Sequence, residues 1–308
     1  IIFDFSPASH WEDGNYVIRR NTHLEYVCEV LNLNLEQVEE KALQIAKKLH
    51  SYRKDRIYPG LDHKQLTSWN ALLLKGMLKC AEVFKDNKFE NASKDLYHWI
   101  NKELITEDDI FRKHTNGISQ LSGTLEDYAM LMDSFLSYSV YFTDNDAKDQ
   151  VEQWITKIDG TLKDSHSSLY FFTPINSPLF YRELDVSDNV IPAANSVIAN
   201  VFAKLGIIND SLECAEKAKL MLQQVLPDIP HYGSAYSNWA ILALDFAFGW
   251  KKLKINNEIM EKVRPKHYFL PNVVVTLEPQ LKETLLCTMN SCNLIELERE
   301  GWIEKSRF

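Results

Sequence analysis

Apolar residues recur at helical spacing along this chain, and the segments that carry them come in unlike pairs. Between residues 34 and 54, Leu35, Val38, Ala42, Ile45 and Leu49 fall three or four apart, which lays one apolar stripe along a helix. From Thr67 to Phe84 the apolar arc, through Trp69, Leu72, Leu73, Met77, Cys80 and Ala81, is wider, so this helix is expected to be largely buried. Residues 88–104 carry more charge and belong outside it. The alternation repeats: 124–142 is apolar and aromatic and 146–163 charged, 190–206 is rich in Ala, Val and Ile and 210–226 charged, and 233–249 is a fourth inner candidate. Each inner segment opens on acid, amide or aromatic residues: Asp62 to Asn70, Leu125-Glu126-Asp127-Tyr128-Ala129, Ala194-Asn195-Ser196-Val197 and Ser237-Asn238-Trp239-Ala240. Trp69, Asp127 and Ser196 lie 58 and 69 residues apart, so one repeat is a long helical hairpin plus a loop.

Inner and outer helices in such pairs predict an all-α fold, an (α/α)6 barrel or toroid whose inner-helix ends surround a central cleft. Six pairs of roughly 60 residues need about 350 to 400 residues. The chain has 308, enough for four clear pairs and part of a fifth, so the barrel is expected to be incomplete, with its N-terminal hairpins missing. The absence of a starting Met before Ile1-Ile2-Phe3 points the same way. β-signal is confined to small insertions: a hairpin over 168–184, a short strand over 110–114 and a C-terminal strand from Pro271 to Leu277 with no evident partner. The predicted organisation is a helical-hairpin domain over 1–264 and a tail over 265–308.

A formal charge of -9 and a pI near 5.5 argue against nucleic acid or an anionic membrane as partner, because phosphate binding needs clustered Lys and Arg. No run of about 20 apolar residues and no secretion signal is present. Cys28, Cys80 and Cys214 are scattered in apolar helical contexts as reduced packing residues, and a cytoplasmic location is expected. Cys287 and Cys292, spaced Cys-x4-Cys, are either a structural pair or a redox-labile one.

The inner-helix openings hold the candidate chemistry. Asp62 and Asp127 are the candidate paired carboxylates, one to donate a proton and one to activate water or attack. Helix capping and a favourable place at a helix N-terminus are their competing structural roles. His63 titrates near neutral pH and is a candidate acid or base. His114, His166 and His231 are weaker loop candidates, and none stands at metal-ligand spacing, so no metal and no other cofactor is expected. Trp69, Tyr128 and Trp239 are candidates either for stacking on sugar faces or for core packing. Asn70, Asn195 and Asn238 would orient hydroxyls or satisfy backbone groups, and Lys64, Glu126 and Ser196 complete the rim. Arg182 and Asp188 would bind substrate or anchor the inserted hairpin.

The string Gly60 to Asn70, reading G-L-D-H-K-Q-L-T-S-W-N, resembles the "DDK, then L-T-S-W-N" signature of the YyaL-type, spermatogenesis-associated thioredoxin-like proteins. Trp11 to Asn15, Leu125 to Ala129, Arg182 to Asp188 with Ile191 to Ser196, Leu270 to Val274 and Cys287 to Cys292 resemble further family segments in the family's order. His63 stands where the family has a second Asp, Glu126 where it has an Asp, and Ala193-Ala194 where it has Ser-Gly. The resemblance implies an upstream thioredoxin-like domain followed by a six-hairpin barrel similar to glycosidases and N-acylglucosamine 2-epimerases, of which this chain is the later part. It implies a small-molecule ligand of the sugar class, handled by a glycosidase-like or epimerase-like enzyme or by a carbohydrate-binding barrel. The alternative is a non-catalytic interaction or redox-associated module serving the thioredoxin-like domain.

Overall fold

The computed structural model describes residues 1–4, 11–107, 109–177, 181–260, 272–288 and 291–295. The chain divides into two compact units, Ile1–Asp62 and His63–Phe308. The expected boundary at 264/265 lies outside the described residues.

In the first unit, β1 (Phe3–Asp4) pairs antiparallel with β2 (Arg19–Arg20), and two helices follow, α1 (Leu24–Leu31) and α2 (Leu35–Arg53). Asn34 starts α2 through a capping box: its side chain accepts from the Gln37 N–H, and Gln37 answers to the Asn34 N–H. Ile2, Val27, Val38 and Ala42 form a small separate core.

The second unit carries the alternation read from the sequence. Its helices are α3 (Thr67–Phe84), α4 (Asn87–Glu103), α5 (Leu125–Phe142), α6 (Asn145–Thr161), α7 (Ala194–Ile208), α8 (Leu212–Val225) and α9 (Ser237–Phe248). α3 packs on α4 and α5, α5 on α6 and α7, and α7 on α8 and α9, so α3, α5, α7 and α9 form one row and α4, α6 and α8 lie outside it. The reason is visible in composition. α5 and α7 are apolar nearly all round and bury most of their residues, whereas α4, α6 and α8 bury single stripes such as Val151, Trp154 and Ile158. Phe135, Phe202 and Trp239 are fully enclosed, each contributing on the order of 2–3 kcal/mol.

Among the described residues β-structure is small. β3 (Gln65–Leu66) pairs with β4 (Phe111–Thr115), which forms a hairpin with β5 (Ile118–Ser122) just before α5. Asn116 and Gly117, at φ 52° and 77°, turn that hairpin, the two-residue loop that suits strand twist. This confirms the strand expected over 110–114.

The hairpin expected over 168–184 is corrected: among the described residues there is a single isolated bridge, Lys163 to Tyr170, and no ladder. Its aromatics are spent on the helices instead. Tyr170 is fully buried, Phe172 O accepts from the Leu125 N–H, and the backbone links back only through Phe172 N–H to Glu183 O at 2.7 Å. Pro178 to Phe180 lie outside the described residues.

The C-terminal strand does find a partner. β7 (Val273–Leu277) runs parallel to β6 (Lys251–Ile255), β8 (Leu285–Cys287) pairs with β6, and β9 (Cys292–Leu294) pairs with β8. Cys287 and Cys292 are register partners joined by a disulfide. Lys252 ties the sheet to the end of α7, its Nζ donating to Ile208 O and Asp210.

Candidate functional site

Hydrogen bonds tie the N-terminal end of α3 to that of α5 and the end of α7 to that of α9, and the Tyr170 to Phe172 segment bonds to the starts of both α5 and α7. Ser68 of α3 donates its Oγ–H to Glu126 Oε1 at 2.8 Å and its N–H to Asp127 Oδ1 at 3.2 Å. Asp188 accepts from the Ala193 N–H with Oδ1 at 2.9 Å and from the Asn238 N–H with Oδ2 at 2.7 Å, so one carboxylate caps both α7 and α9. The Asn238 amide donates to Ser196 Oγ at 2.8 Å, and that hydroxyl donates to Ala193 O.

Asp127 is fully buried, and its proton affinity is raised by burial, against the Thr124 N–H and the Arg112 guanidinium. Oδ2 takes the Thr124 N–H at 2.9 Å, the Thr124 hydroxyl at 3.0 Å and Arg112 Nη1 at 3.2 Å, while Oδ1 takes Ser68. Four donors thus hold the carboxylate, three on Oδ2 and one on Oδ1. Asp127, expected as one of the paired carboxylates, is thereby placed as a clamp between α3, β4 and α5.

Other expected site residues resolve in the same way. Asn195 is buried, accepts from the Tyr170 N–H and donates to Tyr170 O and Asp185 O, so it holds backbone and has no amide group left for a sugar hydroxyl. Tyr128 is buried with its hydroxyl donating to Asp109 Oδ1 at 2.7 Å, and burial raises its pKa. Trp239 is enclosed, its indole N–H donating to Val186 O, which is core packing rather than sugar stacking. Asn70 donates back to Leu66 O, and Trp69 is 63% exposed, outside the core. Arg182 donates to Thr173 O and stacks over Phe171 at 4.0 Å, anchoring its loop. His63 and Lys64 are exposed ahead of β3, and Asp62, also exposed, is the last residue of the first unit. His114 is buried under Trp99 and beside Ser119.

Two carboxyls on the rim keep a lone oxygen. Glu126, half-buried, engages Oε1 with Ser68, and Asp185 engages Oδ2 with the Ala194 N–H at 2.8 Å; their other oxygens accept no hydrogen bond among the described residues. Asp185 is held above the usual carboxylate range by burial first, and by the charges of Glu126, Glu183 and Asp188, against the Ala194 N–H. A carboxyl biased toward its protonated form beside a second carboxylate is the arrangement that acid–base chemistry uses. Asp185 escaped sequence reasoning because it sits in an irregular loop where no period marks it; its place shortly before the α7 opening was the available signal. Among the described residues no group of His, Cys, Asp and Glu is arranged to hold a metal ion, and no helix is long and apolar enough to cross a membrane.

No family model matches this sequence. The chain is 24% identical over 291 residues to an uncharacterized protein of Caenorhabditis elegans, the match covering 88% of this chain and 39% of that protein. It thus spans about two fifths of the length of the curated relative it matches. A solved structure described as D-mannose isomerase superposes with a TM-score of 0.46 at 11% identity, over 68% of this chain and 57% of that one.

Proposed function

We propose that the second unit is part of a six-hairpin (α/α) barrel that binds a sugar-class small molecule at the rim of its inner helices. One observation carries this reading: at the starts of α5 and α7 the charge of Glu126 acts on Asp185, and each keeps a carboxyl oxygen that accepts no hydrogen bond among the described residues. Half-exposed carboxylates suit polyhydroxylated neutral ligands, whose hydroxyls donate in pairs. The sequence resemblance supports the same class. In a catalytic version Asp185 gives a proton and Glu126 receives one, as hydrolysis or isomerisation of a sugar requires.

The test is calorimetric binding and turnover on a panel of mono- and disaccharides with wild type, Glu126→Gln and Asp185→Asn. Both variants are expected to lose about tenfold or more in affinity or rate. Unchanged values in both would remove the rim from consideration. The saturation of Asp127, Asp188 and Asn195 favours a second reading, a non-catalytic interaction module serving a thioredoxin-like domain in a longer parent chain. Under that reading no sugar binds and a parent fragment with the thioredoxin-like domain associates with this chain.

A further inference from the structure

About 9 Å along α5 from Asp127, six residues at 1.5 Å each, α3, α5 and α7 meet at a second feature, separate from the rim. Here Asp133 is almost completely buried midway along α5, and it pairs with Lys75 of α3 and with Lys204 of α7, the latter at 2.8 Å. A cavity of about 270 Å³ adjoins this triad, lined by Lys75, Lys79 and Lys204 together with Leu136, Val140, Trp250 and β7.

The polar inventory of this cavity is unbalanced. Lys75, Lys79 and Lys204 supply three ammonium groups, and Asp133 and Glu82 supply two carboxylates; Glu82 is engaged by Lys79 at 2.7 Å and Asp133 by both other lysines. Asp245 on α9 acts on Lys204 from a distance without forming an ion pair with it. The Trp250 indole N–H, on a residue 7% exposed, makes no hydrogen bond among the described residues. A buried donor without an acceptor costs about 1–3 kcal/mol, so a site that keeps one is short of acceptors. A net cationic lining in a chain of formal charge -9 is a local reversal, not a general property of the surface. Ser137 and Tyr141 also line the cavity, and the rest of its wall is apolar, mostly aliphatic. A dry cavity of about 150 Å³ accommodates benzene, so this one holds a ring or short alkyl body plus a polar head.

We infer that this cavity binds a small amphipathic carboxylate, its head toward Lys75, Lys204 and the Trp250 indole N–H and its apolar body against Leu136, Val140 and Val273 to Val275. Ammonium–carboxylate bonds supply orientation, and the aliphatic wall supplies most of the affinity. The site is separate from the sugar-class rim and does not depend on that assignment.

Calorimetric titration of the 308-residue chain with phenylpropanoate, and with uncharged phenylpropanol, tests it. Phenylpropanoate is expected to saturate one site per chain, with phenylpropanol about tenfold weaker or more. Val140→Trp fills the cavity and is expected to reduce phenylpropanoate affinity about tenfold or more. Lys75→Gln, which leaves Asp133 paired with Lys204, is expected to weaken phenylpropanoate about tenfold while leaving phenylpropanol unchanged, a readout independent of how the tryptophan variant folds. Equal binding of acid and alcohol, wild-type affinity in both variants, or no saturable binding up to millimolar ligand overturns the inference.

Discussion

Asp127 and Asp245 are both buried acids on inner helices, and the difference between them lies in what each one touches. Asp127 is surrounded by donors from Thr124, Ser68 and Arg112. Its removal leaves the Ser68 and Thr124 backbone N–H groups without their acceptor and takes the partner charge from half-buried Arg112, so Asp127→Ala is expected to cost about 3 kcal/mol in urea unfolding. A cost below about 1 kcal/mol would mean that the clamp is not structural. Asp245 accepts no hydrogen bond among the described residues; burial pushes its carboxyl up to about 6, with the Lys204 charge opposing. Its folded pKa thus exceeds the unfolded value near 3.9, so the folded chain binds the extra proton, and stability falls as pH rises from about 4 to 6. Asp245→Asn is expected to stabilise the protein by about 1–2 kcal/mol at pH 7 and by nothing near pH 3, read as unfolding midpoints at both pH values. A variant less stable than wild type at pH 7 would contradict this. At this scale the sequence disclosed residue types better than roles. Glu126, Asp127 and Ser196 stand out because they open helices, but whether a lone pair is free depends on Arg112 and Asp188, which arrive from β4 and a loop. Lys75 and Lys204 were read past because a charge in an apolar helix looks like a snorkelling side chain until its partner on another helix is known.

Gly206 shows how the elements are held. A Cβ there would meet the Ala215 N at 3.0 Å, the Ala215 Cβ at 3.2 Å and the Ser211 O at 3.2 Å, so α7 and α8 approach backbone to backbone. Helix propensity alone favours Ala over Gly by about 1 kcal/mol, whereas forcing apart two backbones costs about 1–3 kcal/mol. Gly206→Ala is therefore expected to destabilise by up to about 2 kcal/mol net, measured by urea denaturation. A stabilised variant would show that α8 gives way freely. Helix identity was legible because α3, α5 and α7 are apolar around most of their circumference while α4, α6 and α8 are striped, a contrast written in composition. The 168–184 segment misled because Tyr170, Phe171 and Phe172 carry strand propensity, yet they are drawn against Phe202, Arg182 and the start of α5 instead of a neighbouring strand. β7 had no visible partner because its pairing with β6 is parallel, and such partners are not adjacent in sequence.

Across the second unit, the row of inner helices ends on apolar side chains that remain in contact with solvent. On α3 these are Trp69, Leu73 and Phe84, and on α9 Ile241, Leu244 and Phe248, all between 49% and 67% exposed. Single exposed apolar residues are ordinary, but several on one helix mark a surface that something covers. A complete barrel would cover both with further inner helices, which is how the incomplete-barrel proposal accounts for them. In the 308-residue chain by itself both faces are apolar and exposed, and a head-to-tail contact between copies would bury both. Sedimentation velocity is expected to show concentration-dependent association in the tens of micromolar, with Leu73→Glu and Leu244→Glu together restoring the monomer. These positions are solvent-exposed, so neither substitution places a charge in the core and the helical circular dichroism should be unchanged. A wild-type chain that stays monomeric at every concentration and binds no apolar dye would show these faces to be individually tolerated exposures, and the argument for missing inner helices would then rest on the repeat pattern alone.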